Sequence, residues 1–346
     1  MNNPRRCTIS LAVAAVAAAL AAPAGAQTVS LKLHHFLGPK SPAHAQMLVP
    51  WSQRVEKASG GKVKIEVFPS MTLGGKPPQL INQARDGVVD LIWTVNGYTA
   101  NLFPRSEVFE LPFVHTNSAV ATNLAMRSMY DKYLKAEYKG VHPLFLHVHA
   151  GQAIHMVDKE VRKPSDLQGM KMRIPTRTGA WIIEALGAAP VGMPVPDLPQ
   201  ALSKKVVDGA FIPWEIIPPL KIQDVTDYQI EGPNRIRFGT TTFQVSMNQK
   251  RWDGLPADVK RAFESQSGEA WVREVGEIWT KSEDFGIGLA VKAGNKHVQL
   301  TEAELAAFRE KLEPVVQRWV NEVKGQGIDG ETLVRVAREQ IAKYSK

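Results

Sequence analysis

Val29-Ser30-Leu31-Lys32-Leu33-His34-His35-Phe36 opens the alternating series of segments that decides the fold. Val29, Leu31 and Leu33 alternate with polar neighbours, the period of a half-buried strand. His44 to Ala58 follows with helical character and stops at Ser59-Gly60-Gly61, where glycine accepts a backbone turn that ends a helix. Val63, Ile65 and Val67 alternate again, and Pro69 closes that strand because it donates no ladder hydrogen bond. Beyond Leu73-Gly74-Gly75, the residues Leu80, Ile81 and Ala84 share a helical face. Gly87 breaks that helix, and Leu91 to Val95 reads as a third strand. Strand, helix, strand, helix, strand implies an α/β fold in which helices cover a parallel sheet.

A second set of the same kind begins near His142. Pro143 to Val148 and Met170 to Ile174 read as strands, Gly179 to Leu186 as a helix, and Gly209 to Trp214 as a buried strand. Asp86-Gly87-Val88-Val89-Asp90-Leu91 and Lys205-Val206-Val207-Asp208-Gly209-Ala210 are alike, each leading from a helix into an apolar strand. That echo predicts two similarly built α/β units. From Pro256 onward Val259, Phe263, Ala270, Trp271, Ile278 and Trp279 recur near a 3.6-residue period, which predicts a helix long enough to bridge the two units. Thr301 and Glu304 form a capping box. Leu305, Phe308, Leu312, Val316 and Trp319 continue that helix, with Pro314 expected to kink it.

The N-terminus predicts export. Arg5 and Arg6 precede an apolar run from Leu11 to Ala22, then Pro23 and Ala24-Gly25-Ala26, the order of a secretory signal peptide cleaved before Gln27. The run is shorter than the ~20 apolar residues a bilayer span requires. The single cysteine, Cys7, lies ahead of the run and leaves with it. Without Arg5 and Arg6 the chain keeps 40 Lys and Arg against 34 Asp and Glu, a net charge of +6. The basic residues are scattered, and no basic run is interleaved with aromatics, which argues against nucleic acid as a partner.

Catalytic signatures are missing: the sequence has no G-x-S-x-G, H-E-x-x-H, Walker A or C-x-x-C pattern. Gly286-Ile287-Gly288 has no third glycine and no preceding strand, so it reads as a local break in a helix. His147 and His149 are two apart on a strand and so share a face. With no third ligand beside them, no metal is expected, and no cofactor either. The positive signal is Arg173 in Met170-Lys171-Met172-Arg173-Ile174-Pro175. It stands at the carboxyl end of a strand, where open α/β sheets bind ligands, and its planar fork matches a carboxylate. The following helix start adds N–H groups and a favourable dipole.

Pro164-Ser165-Asp166-Leu167-Gln168-Gly169-Met170-Lys171-Met172-Arg173-Ile174-Pro175 resembles the P-x-D-L-x-G-x-K-x-R-x-P signature of TRAP transporter solute-binding proteins, the DctP-like family. His35, Val67-Phe68-Pro69, Leu73-Gly74-Gly75, Leu111-Pro112-Phe113, Met193-Pro194, Val207-Asp208-Gly209 and Trp252 to Pro256 follow in the family's order. The resemblance implies a periplasmic binding protein-like α/β fold, with two domains around a ligand cleft bridged by crossing strands and a long helix. On this chain the division falls at 1–26 for the signal, 27–149 with 240–277 for domain I, and 150–239 with 278–346 for domain II. It implies that Arg173 holds a ligand carboxylate and that membrane permease subunits are the partners.

The chain departs from the family pattern where ligands bind. Gly209-Ala210-Phe211-Ile212-Pro213 stands where many members have G-Q-E-N-P with a ligand-binding Asn, and Gln152 stands near a second arginine's place. Val195 replaces a frequent aromatic. Sugar acids needing many polar contacts therefore fit poorly. A small monocarboxylate with an apolar or aromatic body, such as an aromatic, 2-oxo or 2-hydroxy acid, fits better. Phe36, Trp93, Tyr98, Trp181, Phe211 and Trp214 are candidate walls, Trp214 first among them, although large aromatics equally build cores. Gln152, His155, Asn96 and Thr176 are the polar candidates. Glu215 would repel a carboxylate unless it faces away or accepts a ligand hydroxyl. Two other readings share the sequence: a periplasmic enzyme acting on organic acids, and a ligand-presenting subunit of a sensor.

Overall fold

The computed structural model describes residues 28–346; the predicted signal peptide and its cleavage point lie outside the described residues. Eleven strands follow in chain order: β1 (Val29–His34), β2 (Val63–Phe68), β3 (Leu91–Val95), β4 (Val141–Val148), β5 (Ala153–Met156), β6 (Lys171–Ile174), β7 (Ala189–Gly192), β8 (Gly209–Ile212), β9 (Tyr228–Glu231), β10 (Thr242–Asn248) and β11 (Lys296–Gln299). They form a sheet of order β2-β1-β3-β10-β4 and a second of order β11-β9-β5-β8-β6-β7. The opening series folds as its periodicity dictates. β1 pairs in parallel with β2 and β3, with Leu31, Leu33, Leu91 and Ile92 buried.

The echo between the two units has a physical basis in strand pinning. Asp90 precedes β3 and accepts the Lys32 N–H of β1 at 2.8 Å. Asp208 precedes β8 and accepts the Lys171 N–H of β6 at 2.7 Å. Each aspartate thus satisfies a backbone donor of a neighbouring parallel strand just ahead of its own strand, and a valine two residues earlier (Val88, Val206) stays in solvent.

Two segments cross between the sheets. One joins β4 to β5, and the other returns from β9 to β10, which pairs antiparallel with both β3 and β4. The crossings are bonded to each other: Gln152 N–H donates to Gly239 O at 2.7 Å, and Phe238 N–H donates to Gln152 O at 3.2 Å. The third connection is helical. The expected helix beyond Pro256 is two helices, Ala257–Gln266 and Glu269–Lys292, because Gly268 takes an extended conformation between them. Glu269–Lys292 then runs from the first sheet to β11 of the second. The capping box forms as read, with Glu304 N–H donating to Thr301 Oγ1 at 3.2 Å and Thr301 N–H to Glu304 Oε2 at 2.7 Å. Pro314 lies within the continuous helix Glu302–Lys324. The final helix, Gly330–Tyr344, falls in the stretch read as domain II yet packs on Ala119–Met129 beside the first sheet. Among the described residues no helix is long and apolar enough to cross a membrane.

Candidate functional site

Between the two sheets, beside both crossings and under the long helix, lies a small cavity of about 40 Å³. β1 and β3 contribute Phe36, Trp93 and Tyr98 from at or just past their ends. The crossings contribute His149, Gln152 and Thr241, and β6 and β8 contribute Arg173, Ile212 and Glu215. Phe243 and Trp279 complete an aromatic slab. The Phe36 and Trp93 rings stack at 4.7 Å and 12°, and the Trp93 and Phe243 rings at 5.2 Å and 3°. Trp279 lies nearly parallel to Phe243, 6.0 Å away.

Arg173 sits where strand-end logic puts it, 2% exposed. Its Nε–H donates to Met193 O at 3.0 Å and an Nη1–H to Phe211 O at 3.4 Å, while Nη2 has no partner. No carboxylate of the described residues pairs with it. Burial lowers its pKa, with Tyr98 opposing, but a guanidinium stays charged in proteins. The Tyr98 hydroxyl beside it accepts the Val195 N–H at 2.9 Å and so joins the two halves of the cleft.

Four more polar atoms of cavity-lining residues are buried without a partner: His149 Nε2, Gln152 Oε1, Glu215 Oε2 and Trp279 Nε1. Burial, then its neighbours His115 and His147, pushes the His149 pKa well down, so the ring is neutral. Its Nδ1 accepts the Gly151 N–H at 3.0 Å, which leaves the ring proton on Nε2 as a free donor. Gln152 donates from Nε2 to Thr241 Oγ1 at 2.6 Å and keeps Oε1 as a free acceptor.

Of the residues singled out from sequence, Arg173, Gln152, Phe36 and Trp93, with Tyr98, meet in this cavity. The others stand elsewhere. Trp214 is fully buried behind it, with its indole N–H donated to Glu231 Oε2 at 2.8 Å. The chain turns sharply after Pro213, and this turn brings Glu215 and Ile216 to the wall in place of Trp214. Phe211 contributes only its carbonyl. His155 donates its Nε2–H to Ile212 O at 3.1 Å and meets Trp214 edge-on. Asn96 is held between Tyr138 and Gln244. Thr176 caps the helix Arg177–Ala185, accepting the Gly179 N–H at 3.2 Å. Trp181 lies under Arg177 and Arg318. His147 is likewise engaged, accepting the Trp93 indole N–H at 2.8 Å, and the described residues hold no metal-binding cluster.

Sequence reading missed His149 as a donor and Phe243, Thr241 and Trp279 as walls. Phe243 and Thr241 belong to the return crossing, whose strand β10 is buried on every residue, so its polar/apolar alternation does not tell which face meets the cavity.

Residues 33–322 match the family model described as bacterial extracellular solute-binding protein, family 7. A marine metagenome TRAP solute-binding protein specific for aromatic acid ligands, solved with co-crystallised 3-hydroxybenzoate, is 39% identical with a TM-score of 0.90, over 92% of this chain and 100% of that one. A TRAP solute-binding protein from Rhodoferax ferrireducens T118, solved with copurified benzoate, is 39% identical with a TM-score of 0.89, over 92% of this chain and 99% of that one. The C4-dicarboxylate-binding periplasmic protein of Rhodobacter capsulatus is 27% identical over 93% of this chain and 94% of its own. The chain therefore belongs to the DctP family of extracellular solute-binding proteins and is a substrate-binding protein of the TRAP transporter type.

Proposed function

We propose that the mature protein, from Gln27, captures a small aromatic monocarboxylate in the periplasm by closing two lobes on it, and presents it to TRAP permease subunits. The observation that carries this reading is Arg173: a buried guanidinium with no ion-pair partner, Asp197 acting on it only from longer range, in a cavity walled by parallel aromatic rings. Burying an unpaired ion costs several kcal/mol, so such a group suits an anion that arrives with the ligand. Nη2 of Arg173, Nε2 of His149 and the indole Nε1 of Trp279 are donors free for a ligand, and the slab Phe36-Trp93-Phe243 offers flat faces for a planar body. Ile212, in place of the family's Asn, removes a polar contact that sugar acids would use. The ligands named for the two 39% identical structures, 3-hydroxybenzoate and benzoate, have this chemistry.

The lobes correspond to the two sheets, and their facing surfaces touch at the cleft mouth. Tyr98 bonds Val195 there, and Arg177 makes a two-pronged ion pair with Glu107 at 2.6 and 2.7 Å. Thermal-shift titration of ligand-stripped protein with benzoate, an aliphatic 2-hydroxy acid and a hexuronate tests the reading. A large shift with benzoate alone is expected, because a ligand bound only by the folded state raises the melting point. A shift with the hexuronate and none with benzoate refutes it.

A further inference from the structure

A carboxyl group on the wall of a carboxylate-binding cavity is a conflict that the surroundings of Glu215 resolve. Three buried acids, Glu215, Glu231 and Glu283, cluster around one arginine, Arg237. Glu283 takes the Arg237 Nη2–H at 2.6 Å and the Trp214 and Glu215 backbone N–H groups at 2.8 and 3.2 Å. Glu231 takes Arg237 Nη1–H, the Trp214 indole N–H at 2.8 Å, and His297 at 2.8 Å. The Arg237 Nη1 and Nη2 donors, the Trp214 indole and the Trp214 and Glu215 backbone N–H groups are thereby spent on two of the acids, while Arg237 Nε–H bonds none of the three. Glu215 is 4% exposed, and its Oε2 has no donor.

Burial, and then the adjacent Glu283 carboxylate, push the Glu215 pKa well above the usual carboxylate range. Two like charges in contact do not both ionise, so Glu215 carries the proton and turns it toward Glu283. A neutral Glu215 does not repel a ligand carboxylate, and its second oxygen remains a hydrogen-bond acceptor.

We propose that Glu215 is the specificity-determining residue of this cavity, accepting a hydrogen bond from a hydroxyl on the ligand's body, so that hydroxylated aromatic monocarboxylates are preferred over unsubstituted ones. The proposal rests on the carboxylate reading above and goes beyond it by assigning the discrimination to one side chain. Leaving a buried acceptor unpaired costs about 1–3 kcal/mol, and sites built to bond a hydroxyl reject the analogue lacking it.

The test is calorimetric titration of ligand-stripped wild type, E215L, E215Q and Q152L with benzoate and 3-hydroxybenzoate. Wild type is expected to favour 3-hydroxybenzoate by about 10- to 100-fold. E215L should lose that preference while binding benzoate at least as well, which also shows that its fold is intact. E215Q should keep the preference, since its amide donates to Glu283 and presents a carbonyl as the neutral acid does. A preference that survives in E215L, disappears in E215Q, or disappears in Q152L alone overturns the assignment while leaving benzoate binding, and the carboxylate reading, in place. Failure of wild type to bind either probe overturns both.

Discussion

Replacing Arg173 by methionine separates the two consequences of burying an arginine. In the unliganded protein the substitution removes donors from the Met193 and Phe211 carbonyls, a loss of about 1 kcal/mol each. It also removes a charge that is 2% exposed and has no carboxylate partner, and relief of that desolvation is worth several kcal/mol in the opposite sense. The two effects offset, so unliganded R173M should melt within about 4 °C of wild type, at roughly 2 °C per kcal/mol for a chain of this size. Ligand binding has no such compensation, because the carboxylate would then be buried without its cation. The cost is about 2–5 kcal/mol, or roughly 30- to 5,000-fold in Kd. At a ligand concentration about a thousandfold above the wild-type Kd, wild type gains about 4 kcal/mol of stability, and R173M should gain only about 0.1–2 kcal/mol. Calorimetry with benzoate and a paired thermal-shift measurement read both quantities. Affinity within about threefold of wild type would refute the argument, as would a collapse of the unliganded fold.

Trp214→Phe should lower stability by about 1–3 kcal/mol by removing one of the donors to the buried Glu231 carboxylate, yet change benzoate affinity less than about threefold, as read by urea unfolding and calorimetry; a large affinity loss would return Trp214 to the ligand wall. Ile212→Asn restores the family's polar residue on the cavity wall and should weaken benzoate by about 10-fold while admitting polar-bodied acids, measured by thermal shift across the same panel. Stability should fall on acidification. Burial holds His35, His147 and His155 at about 3 and His115 at about 4, below the ordinary 6.5, so their contribution is complete above pH 6.5 and is lost toward pH 4 as the unfolded chain takes up protons first. Glu110 and Glu137, pushed by burial up to about 7 and about 8 from 4.5, act in the opposite sense, stabilising most below pH 4.5 and losing that contribution by pH 8. His147→Gln should therefore flatten the acid limb of the urea midpoint against pH, and Glu137→Gln should flatten the decline from pH 5 to 8; profiles parallel to wild type would contradict the assignment.

The legible parts of the fold were those with one buried face. β1 and β2 alternate because solvent covers one side, and the Asp90 and Asp208 pins repeat because a neighbouring parallel strand in each unit poses the same unsatisfied N–H. β10 alternates polar and apolar residues, yet all seven of them are buried. Thr242, Gln244 and Ser246 are polar residues satisfied inside the protein, so the alternation does not separate a solvent face from a core face. β7, β9 and β11 are four-residue strands, too short for alternation to stand out. In the site, Arg173 was legible from its place at a strand end. Trp214 misled because neighbouring positions around a tight turn point to opposite sides, and the turn's direction is set by Glu283 on the distant helix Glu269–Lys292.

Arg173 and Arg237 show why residue type and burial do not by themselves identify a site. Both are buried to the same degree, 2% and 3% exposed, and both lie near the cleft. Arg237 is neutralised by Glu231 and Glu283, and together they fix Trp214, the Glu215 backbone and the long helix in one unit. Arg173 has carbonyls and a phenol around it, and Asp197 acts on it only from beyond ion-pair distance. The first arginine is complete without a ligand, and the second is not. The same inventory gives Glu215 its character, since an acid left out of a satisfied ion cluster must hold its proton, and a neutral acid beside an uncompensated cation can tolerate an incoming carboxylate. The charge state of the cavity thus follows from how the neighbouring cluster distributes one arginine among three acids. A substitution that frees Arg237, such as Glu283→Gln, should then reach the ligand indirectly, by allowing Glu215 to ionise and oppose the carboxylate proposed to pair with Arg173.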